Sequence, residues 1–215
     1  MKSAIVAFAV LTFALPGYAQ EPDARQVAQE RRAAEHEVPQ LMEVLKVKPG
    51  MTVADIGSGG GAFTVVIGKW IGDGKVYATD VTERALRLTR EYAQKEGLSN
   101  VTVIQGAPGS TNLPPACCDA LFMRDVYHHI TDVEKFNKSL FTSLKPGGRL
   151  AILDFRPDPG SKLFPGVPAN REGHGIRPNL VEDELKAAGF THLQTIERWP
   201  PNDKNPLFLV LFSKP

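Results

Sequence analysis

Thr52 to Thr64 reads TVADIGSGGGAFT: a short apolar run, an aspartate, glycines at alternate positions and the opening of a helical sequence. Val53 to Ile56 reads as a parallel strand buried on both faces, apolar but for Asp55, and Gly57, Gly59 and Gly61 form the tight turn that leaves it. A turn without Cβ atoms lets a ligand touch backbone, and a helix opening near Ala62 aims unpaired N–H groups at that ligand. The stretch therefore predicts a nucleotide derivative. Gly57-x-Gly59-x-x-Ala62 fits a dinucleotide fingerprint, and Asp80 follows about 20 residues on, where a ribose-binding acid is expected. Asp55, two places before the first glycine, argues against a dinucleotide, whose pyrophosphate an adjacent acid would repel.

Outward from this corner, Phe63 to Ile71 continues as a crossover helix ended by Gly72-Asp73-Gly74, and Lys75 to Thr79 is a second strand ending at Asp80. Thr82 to Glu96 is helical, with Thr82 as N-cap and Gly97 as C-cap, and Val101 to Gln105 is a third strand. Such alternation is the order of a doubly wound parallel sheet, which takes ligands at the carboxyl ends of its strands; Asp80 and Gly106 stand there. Asp119 to Arg124 is the fourth strand and leads into Asp125-Val126-Tyr127-His128-His129-Ile130-Thr131-Asp132, while LAILDF after Lys145-Pro146-Gly147-Gly148-Arg149 is the fifth. From Arg156 to Asn179 the chain is rich in Pro and Gly. A loop longer than about 15 residues inside a compact domain usually serves function, and this one is expected to close over the site as a lid carrying Phe164, Arg171, Glu172, His174 and Arg177. Leu180 to Ala188 is a helix, and the strands His192 to Trp199 and Leu207 to Phe212, joined by the turn Pro200 to Pro206, form a hairpin-like end where a dinucleotide fold would finish on a parallel strand.

On the N-terminal side, residues 1 to 19 read as a secretory signal peptide, with Lys2, an apolar run from Ala4 to Leu15 and the small-x-small site Gly17-Tyr18-Ala19. The run is shorter than the roughly 20 residues of a membrane span, which leaves an uncleaved membrane tether as the alternative. Residues 20 to 50 hold a charged lead-in and a covering helix whose Val38, Leu41, Met42, Leu45 and Val47 form an apolar stripe stopped by Pro49-Gly50. Glu35 and His36 are expected near the mouth of the site, His36 as a solvated residue. Residues 51 to 215 make one domain with a sizeable core. Lys and Arg number 25 against 24 Asp and Glu with no basic run or aromatic-basic stripe, so nothing points to a nucleic-acid surface and no nucleic-acid partner is expected. The two cysteines, Cys117 and Cys118, are neighbours, so no disulfide framework is expected; one thiol should be buried and the other should face a helix.

The run D-x-G-x-G-x-G from Asp55 to Gly61 resembles the first motif of the class I S-adenosylmethionine (SAM) methyltransferases. Leu113-Pro114 and the K-P-G-G turn match that family, and the segment from Asp125 to Asp132 resembles the same region of ubiquinone and menaquinone biosynthesis-type and related small-molecule methyltransferases. The resemblance covers Val38 to the C-terminus. It implies an α/β, Rossmann-like seven-stranded sheet, mostly parallel with an antiparallel C-terminal strand and helices on both faces, with SAM as cofactor and a small molecule as substrate. The cofactor-binding set it implies is Asp55, Gly57, Ser58, Gly59, Gly61, Asp80, Val81, Gly106, Ala107 and Arg124, with Asp55 ordering the loop and Asp80 holding the ribose. Many members carry an acid soon after the third strand to accept the adenine amino group. Ala107 stands there instead, so backbone groups, Thr111 or Asn112 are expected to hold the adenine.

Methyl transfer from a sulfonium is an in-line displacement in which the protein aligns, excludes water and, for a hydroxyl or thiol acceptor, removes a proton. His128 is the base candidate, the alternative being a packed or hydrogen-bonded histidine, with Tyr127 and Asp125 shaping the pocket, although Asp125 could instead cap the short helical turn. No metal is expected, because adjacent histidines point about 100° apart in a helical turn and no third ligand is spaced to join them. His174 reads either as a substrate-orienting residue or as a solvated loop residue. Two other functions stay open on the residues alone: an NAD(P)-dependent oxidoreductase, and a non-catalytic exported SAM-fold binding domain.

Overall fold

The computed structural model describes residues 24–158, 160–201 and 206–215; the expected signal peptide and most of the turn from Pro200 to Pro206 lie outside them. Seven strands, β1 (Thr52–Ile56), β2 (Lys75–Asp80), β3 (Val101–Gln105), β4 (Cys118–Arg124), β5 (Leu144–Phe155), β6 (Thr191–Ile196) and β7 (Leu207–Ser213), make one sheet in the order β3-β2-β1-β4-β5-β7-β6. β1 pairs in parallel with β2 on one side and β4 on the other, so the strand order reverses there and opens a crevice at the carboxyl ends. β7 runs antiparallel to both β5 and β6, the end expected from the hairpin pattern.

Side chains alternate between the faces of a strand, so neighbouring residues enter two different cores. Val53, Phe122, Leu153 and Leu209 pack with Leu41 and Met42 of α1 (Ala24–Val44) and Ile67 of α2 (Ala62–Trp70). Ala54, Leu121, Ile152 and Phe208 pack on the other face with Leu140 of α4 (Val133–Ser143) and Leu185 of α5 (Pro178–Ala187). The apolar stripe of α1 is buried as its spacing required, and Glu37 is buried on the same stripe. α3 (Glu83–Lys95) is capped by Thr82, whose hydroxyl accepts the Ala85 N–H at 3.3 Å. α4 was not legible in the sequence. Its buried face holds Asn137 and Ser143 beside Phe136 and Leu140, and two polar residues on a three-turn stripe dilute the apolar period.

The expectation of two thiols is corrected: Cys117 and Cys118 are joined to each other in a disulfide at the start of β4. Adjacent half-cystines staple no distant segments of chain, so this bond escapes a search for a disulfide framework. Among the described residues no helix is long and apolar enough to cross a membrane.

Candidate active site

The cleft begins where β1 turns into α2. Gly57 sits at φ +80°, donates its N–H to Thr79 O at 2.7 Å, and approaches Val126 so closely that a Cβ there would lie 2.4 Å from Val126 Cγ2. Ser58 also donates to Thr79 O, at 3.0 Å, so these two N–H groups tie the corner to β2 and are not left for a ligand. Asp80 finishes β2 with both oxygens engaged: Oδ2 accepts the Gly59 N–H at 3.2 Å, and Oδ1 accepts the Thr82 N–H at 2.9 Å. Asp55 lies behind the corner, 3% exposed, and accepts the Thr64 hydroxyl at 2.6 Å. Burial pushes its carboxyl up to about 7, with the Asp80 charge adding and the Thr64 hydrogen bond opposing. Asp55 thus orders the start of α2 without lining the cleft, and Gly61 packs against Thr89 of α3.

Two adjoining cavities occupy the crevice. A polar one of about 550 Å³ is lined by Glu30, Ser58, Gly59, Arg124 and Asp125 among others. A mainly apolar one of about 430 Å³ is lined by Val81, Gly106, Ala107, Phe136, His129 and Phe164 among others. Gly57, Asp80 and Val126 belong to both walls. A zwitterionic tail suits the first, a flat base suits the second, and a ribose between them meets Asp80; these are the parts of SAM in their covalent order. Val81, apolar yet 55% exposed, supplies the kind of surface on which a base stacks.

Arg124 is held by Glu37 through two hydrogen bonds of 2.7 and 3.0 Å, which pins α1 across the polar cavity. The helix residues that reach the wall are Gln29, Glu30 and Ala33; Glu35 and His36, expected there, are exposed, and Glu35 pairs with Arg31 at 2.9 Å. Of the side chains expected to hold adenine, Thr111 reaches the apolar wall but shares its hydroxyl with Ser139 at 2.9 Å. Asn112 is off the wall, donating to Gln105 O at 2.9 Å.

The segment after β4 corrects the expected roles. Asp125, at φ +62°, faces the polar cavity and caps nothing: the 3-10 turn Tyr127–His129 starts from Val126 without a side-chain cap. Tyr127 does not shape the pocket. Its ring is fully buried, its hydroxyl donates to Glu184 Oε2 at 3.0 Å and accepts the Asn137 amide at 2.8 Å, and burial pushes its pKa well up. Glu184 in turn takes Arg171 at 2.6 and 3.1 Å, so Arg171 anchors the lid to α5. His128 is 2% exposed and off both walls; its Nδ1 lies 2.8 Å from Asp154 Oδ1 and its Nε2 lies 3.2 Å from His174 Nε2. The imidazole on the wall is His129, its ring centroid 3.8 Å from that of His128 and 4.2 Å from that of Phe164. Burial, with the two neighbouring imidazoles, pushes His129 down to about 4, so it is neutral at pH 7.

Sequence reasoning missed Glu37 and Asp154, and both carried a signal: an acid on the apolar stripe of a helix, and an acid at the end of the otherwise apolar strand LAILDF. A charge is kept in such a place only when something pairs with it.

Since β7 is antiparallel and the crevice divides into a polar and an apolar part across Asp80, the dinucleotide oxidoreductase alternative falls away, and the class defined is the class I SAM-dependent methyltransferase. Comparison with known proteins gives the family. The chain belongs to the methyltransferase domain family, whose model matches residues 47–198. It is 33% identical over 123 residues to the ubiquinone/menaquinone biosynthesis C-methyltransferase UbiE of Pasteurella multocida, covering 55% of this chain and 46% of that protein. The UbiE of Vibrio campbellii is 33% identical over 122 residues, with 54% and 47% covered. The chain thus spans about half the length of the curated relatives it matches. Among solved structures, a SAM-dependent methyltransferase from Aquifex aeolicus superposes with a TM-score of 0.69 at 27% identity, covering 89% of this chain and 98% of that one. Phosphoethanolamine N-methyltransferase 2 of Haemonchus contortus, solved with SAM, shares the fold at TM-score 0.66 and 18% identity, with 84% and 52% covered. These likenesses give no support to a non-catalytic binding domain.

Proposed function

We propose that this protein transfers the methyl group of SAM to a small, largely apolar acceptor, and that it does so outside the cytoplasm. The observation that carries the reading is Asp80, placed where the polar and apolar cavities meet and therefore where the ribose of a nucleoside with a zwitterionic tail would lie. Arg124 and Asp125 face the tail, Val81 and Ala107 face the base, and the wall formed by His129 and Phe164 is where the acceptor meets the donor. The apolar character of that wall, and the quinone-pathway names of the relatives, favour a small molecule over a macromolecule. Export draws support from the signal-like residues 1 to 19 and from the Cys117–Cys118 disulfide, since such bonds persist in oxidising compartments.

Calorimetry with S-adenosylhomocysteine tests the donor: the wild-type chain should bind it and Asp80→Ala should lose it. Transfer of labelled methyl from SAM to a panel of small hydroxyl, thiol, amine and aromatic carbon acceptors then identifies the reaction. A folded chain with no affinity for either form of the cofactor would refute the assignment. Fractionation with intact mass should find the exported chain beginning at residue 20; a full-length cytoplasmic chain would refute the export reading.

A further inference from the structure

The lid delivers a third imidazole to the two that follow β4. His128, His129 and His174 each offer a ring nitrogen, and these atoms all lie within 4.8 Å of one another. Three further features bear on what they could hold. The Nε2 atoms of His128 and His174 are 3.2 Å apart, close to the edge of about 3.3 Å between two nitrogens bound tetrahedrally to one zinc ion at about 2.0–2.1 Å. His128 Nδ1 is occupied by the fully buried Asp154 at 2.8 Å, an arrangement that fixes the tautomer and turns Nε2 outward as an electron-pair donor. Finally, Nδ1 of His129 is buried and has no hydrogen-bond partner, an uncommon state for a ring nitrogen.

We propose that His128, His129 and His174 form a divalent-metal site of zinc type at the wall of the acceptor cavity, with Asp154 as the outer partner of His128. Hydrogen bonding alone accounts for the contact between His128 and His174, but it leaves the His129 nitrogen stranded. A shared cation accounts for all three rings. Three imidazoles suit zinc, or iron and cobalt of the same charge, better than magnesium or calcium, which prefer oxygen ligands. Asp125, His128 and Asp154 form another conceivable set. Asp154, however, already accepts the N–H groups of His128 at 3.1 Å and Phe155 at 2.8 Å, which makes it a support and not a ligand.

Three protein ligands leave a fourth position, and His129 carries it to the cavity wall that Phe164 shares. The ligand class for that position is a hydroxyl or thiol acceptor. Coordination releases its proton to solvent, the freed lone pair forms the bond to the methyl carbon, and the electron pair of the broken carbon–sulfur bond stays on sulfur, so the donor leaves as a neutral thioether. This role rests on the methyltransferase reading, while the metal site itself does not.

The test uses the full, untagged chain, stripped with a chelator and titrated with zinc by calorimetry. One ion per chain is expected. His174→Ala should weaken zinc binding by more than about 100-fold, because loss of a ligand exceeds the 10–100-fold cost of losing an outer partner, and Asp154→Asn should fall within that smaller range. Cobalt(II) loading should give the intense visible absorption of a tetrahedral nitrogen site. Absence of zinc uptake, equal affinity in His174→Ala, or the weak spectrum of hydrated cobalt would overturn the proposal. S-adenosylhomocysteine affinity, read on the same samples, reports separately: its retention in His174→Ala shows an intact fold, and its absence from wild type refutes the donor reading without touching the zinc result.

Discussion

Gly57→Ala is the substitution whose cost can be worked out most fully. The residue sits at φ +80°, where an L side chain costs about 1–2 kcal/mol, and the new methyl would lie 2.4 and 2.8 Å from the two γ-carbons of Val126. Relieving that overlap by displacing Val126 adds about 1–3 kcal/mol, the usual range for overpacking. Gly59→Ala is the internal control, since φ there is +51° but nothing lies within 4 Å of a Cβ, which leaves the backbone cost alone. The expected losses of unfolding free energy are thus about 2–5 kcal/mol for Gly57→Ala and about 1–2 kcal/mol for Gly59→Ala. Urea denaturation measures both, and repeating Gly57→Ala in a Val126→Ala background should recover about 1–3 kcal/mol as coupling. Affinity for S-adenosylhomocysteine should fall about 10–100-fold in Gly57→Ala, because Val126 is pushed into the cavities it lines. Equal losses for the two glycines, or no coupling to Val126, would refute the argument from close approach.

Glu37→Gln breaks a two-bond pair in which the acid is buried and Arg124 partly exposed; the cost should be about 2–3 kcal/mol, read as a fall of about 4–12 °C in Tm for a domain of this size. Asp55 is held up at about 7 by burial, so its neutral form is favoured by folding; the stability this gives is full below the unfolded value near 3.8 and is lost as pH rises through 7. Asp55→Asn should therefore gain on wild type by up to about 4 kcal/mol between pH 4 and pH 8, and a constant difference across that range would contradict it. Tyr127→Phe removes a buried hydroxyl that Asn137 and Glu184 both use, and should cost about 1–3 kcal/mol in denaturation while leaving S-adenosylhomocysteine affinity unchanged; a loss of affinity would return Tyr127 to the pocket. Arg171→Met should expose residues 156–177 to limited proteolysis faster than wild type, since it leaves Glu184 without its bidentate partner.

The parallel half of the sheet was readable because its signals are local: an apolar run, a glycine turn, a cap such as Thr82, each within a few residues. The antiparallel β7 was readable from its flanking prolines and from the family resemblance. What escaped was set by distance. The roles of His128 and His129 depend on which way a single 3-10 turn rolls, and that is decided by Asp154, contributed by β5, and by the lid, which follows β5. Tyr127 was misplaced for the same reason, since its partners Asn137 and Glu184 lie on two helices, one of which the sequence did not reveal. Glu37 and Arg124 are far apart in sequence, and neither alone announces the other.

A valine, with Gly57 and Asp80, lines both cavities of the crevice and stands where they meet. Val126 springs from the turn after β4, whereas the floor on which a donor would rest is built by β1 and β2, so the partition and the floor are encoded in separate stretches of chain. Since the donor would lie in both rooms, its tail in one and its base in the other, enlarging that residue would cut the seat in two and trimming it would widen the passage between them. A guest long enough to span both rooms is therefore admitted or refused by one side chain on a stretch of chain that builds none of the floor beneath it.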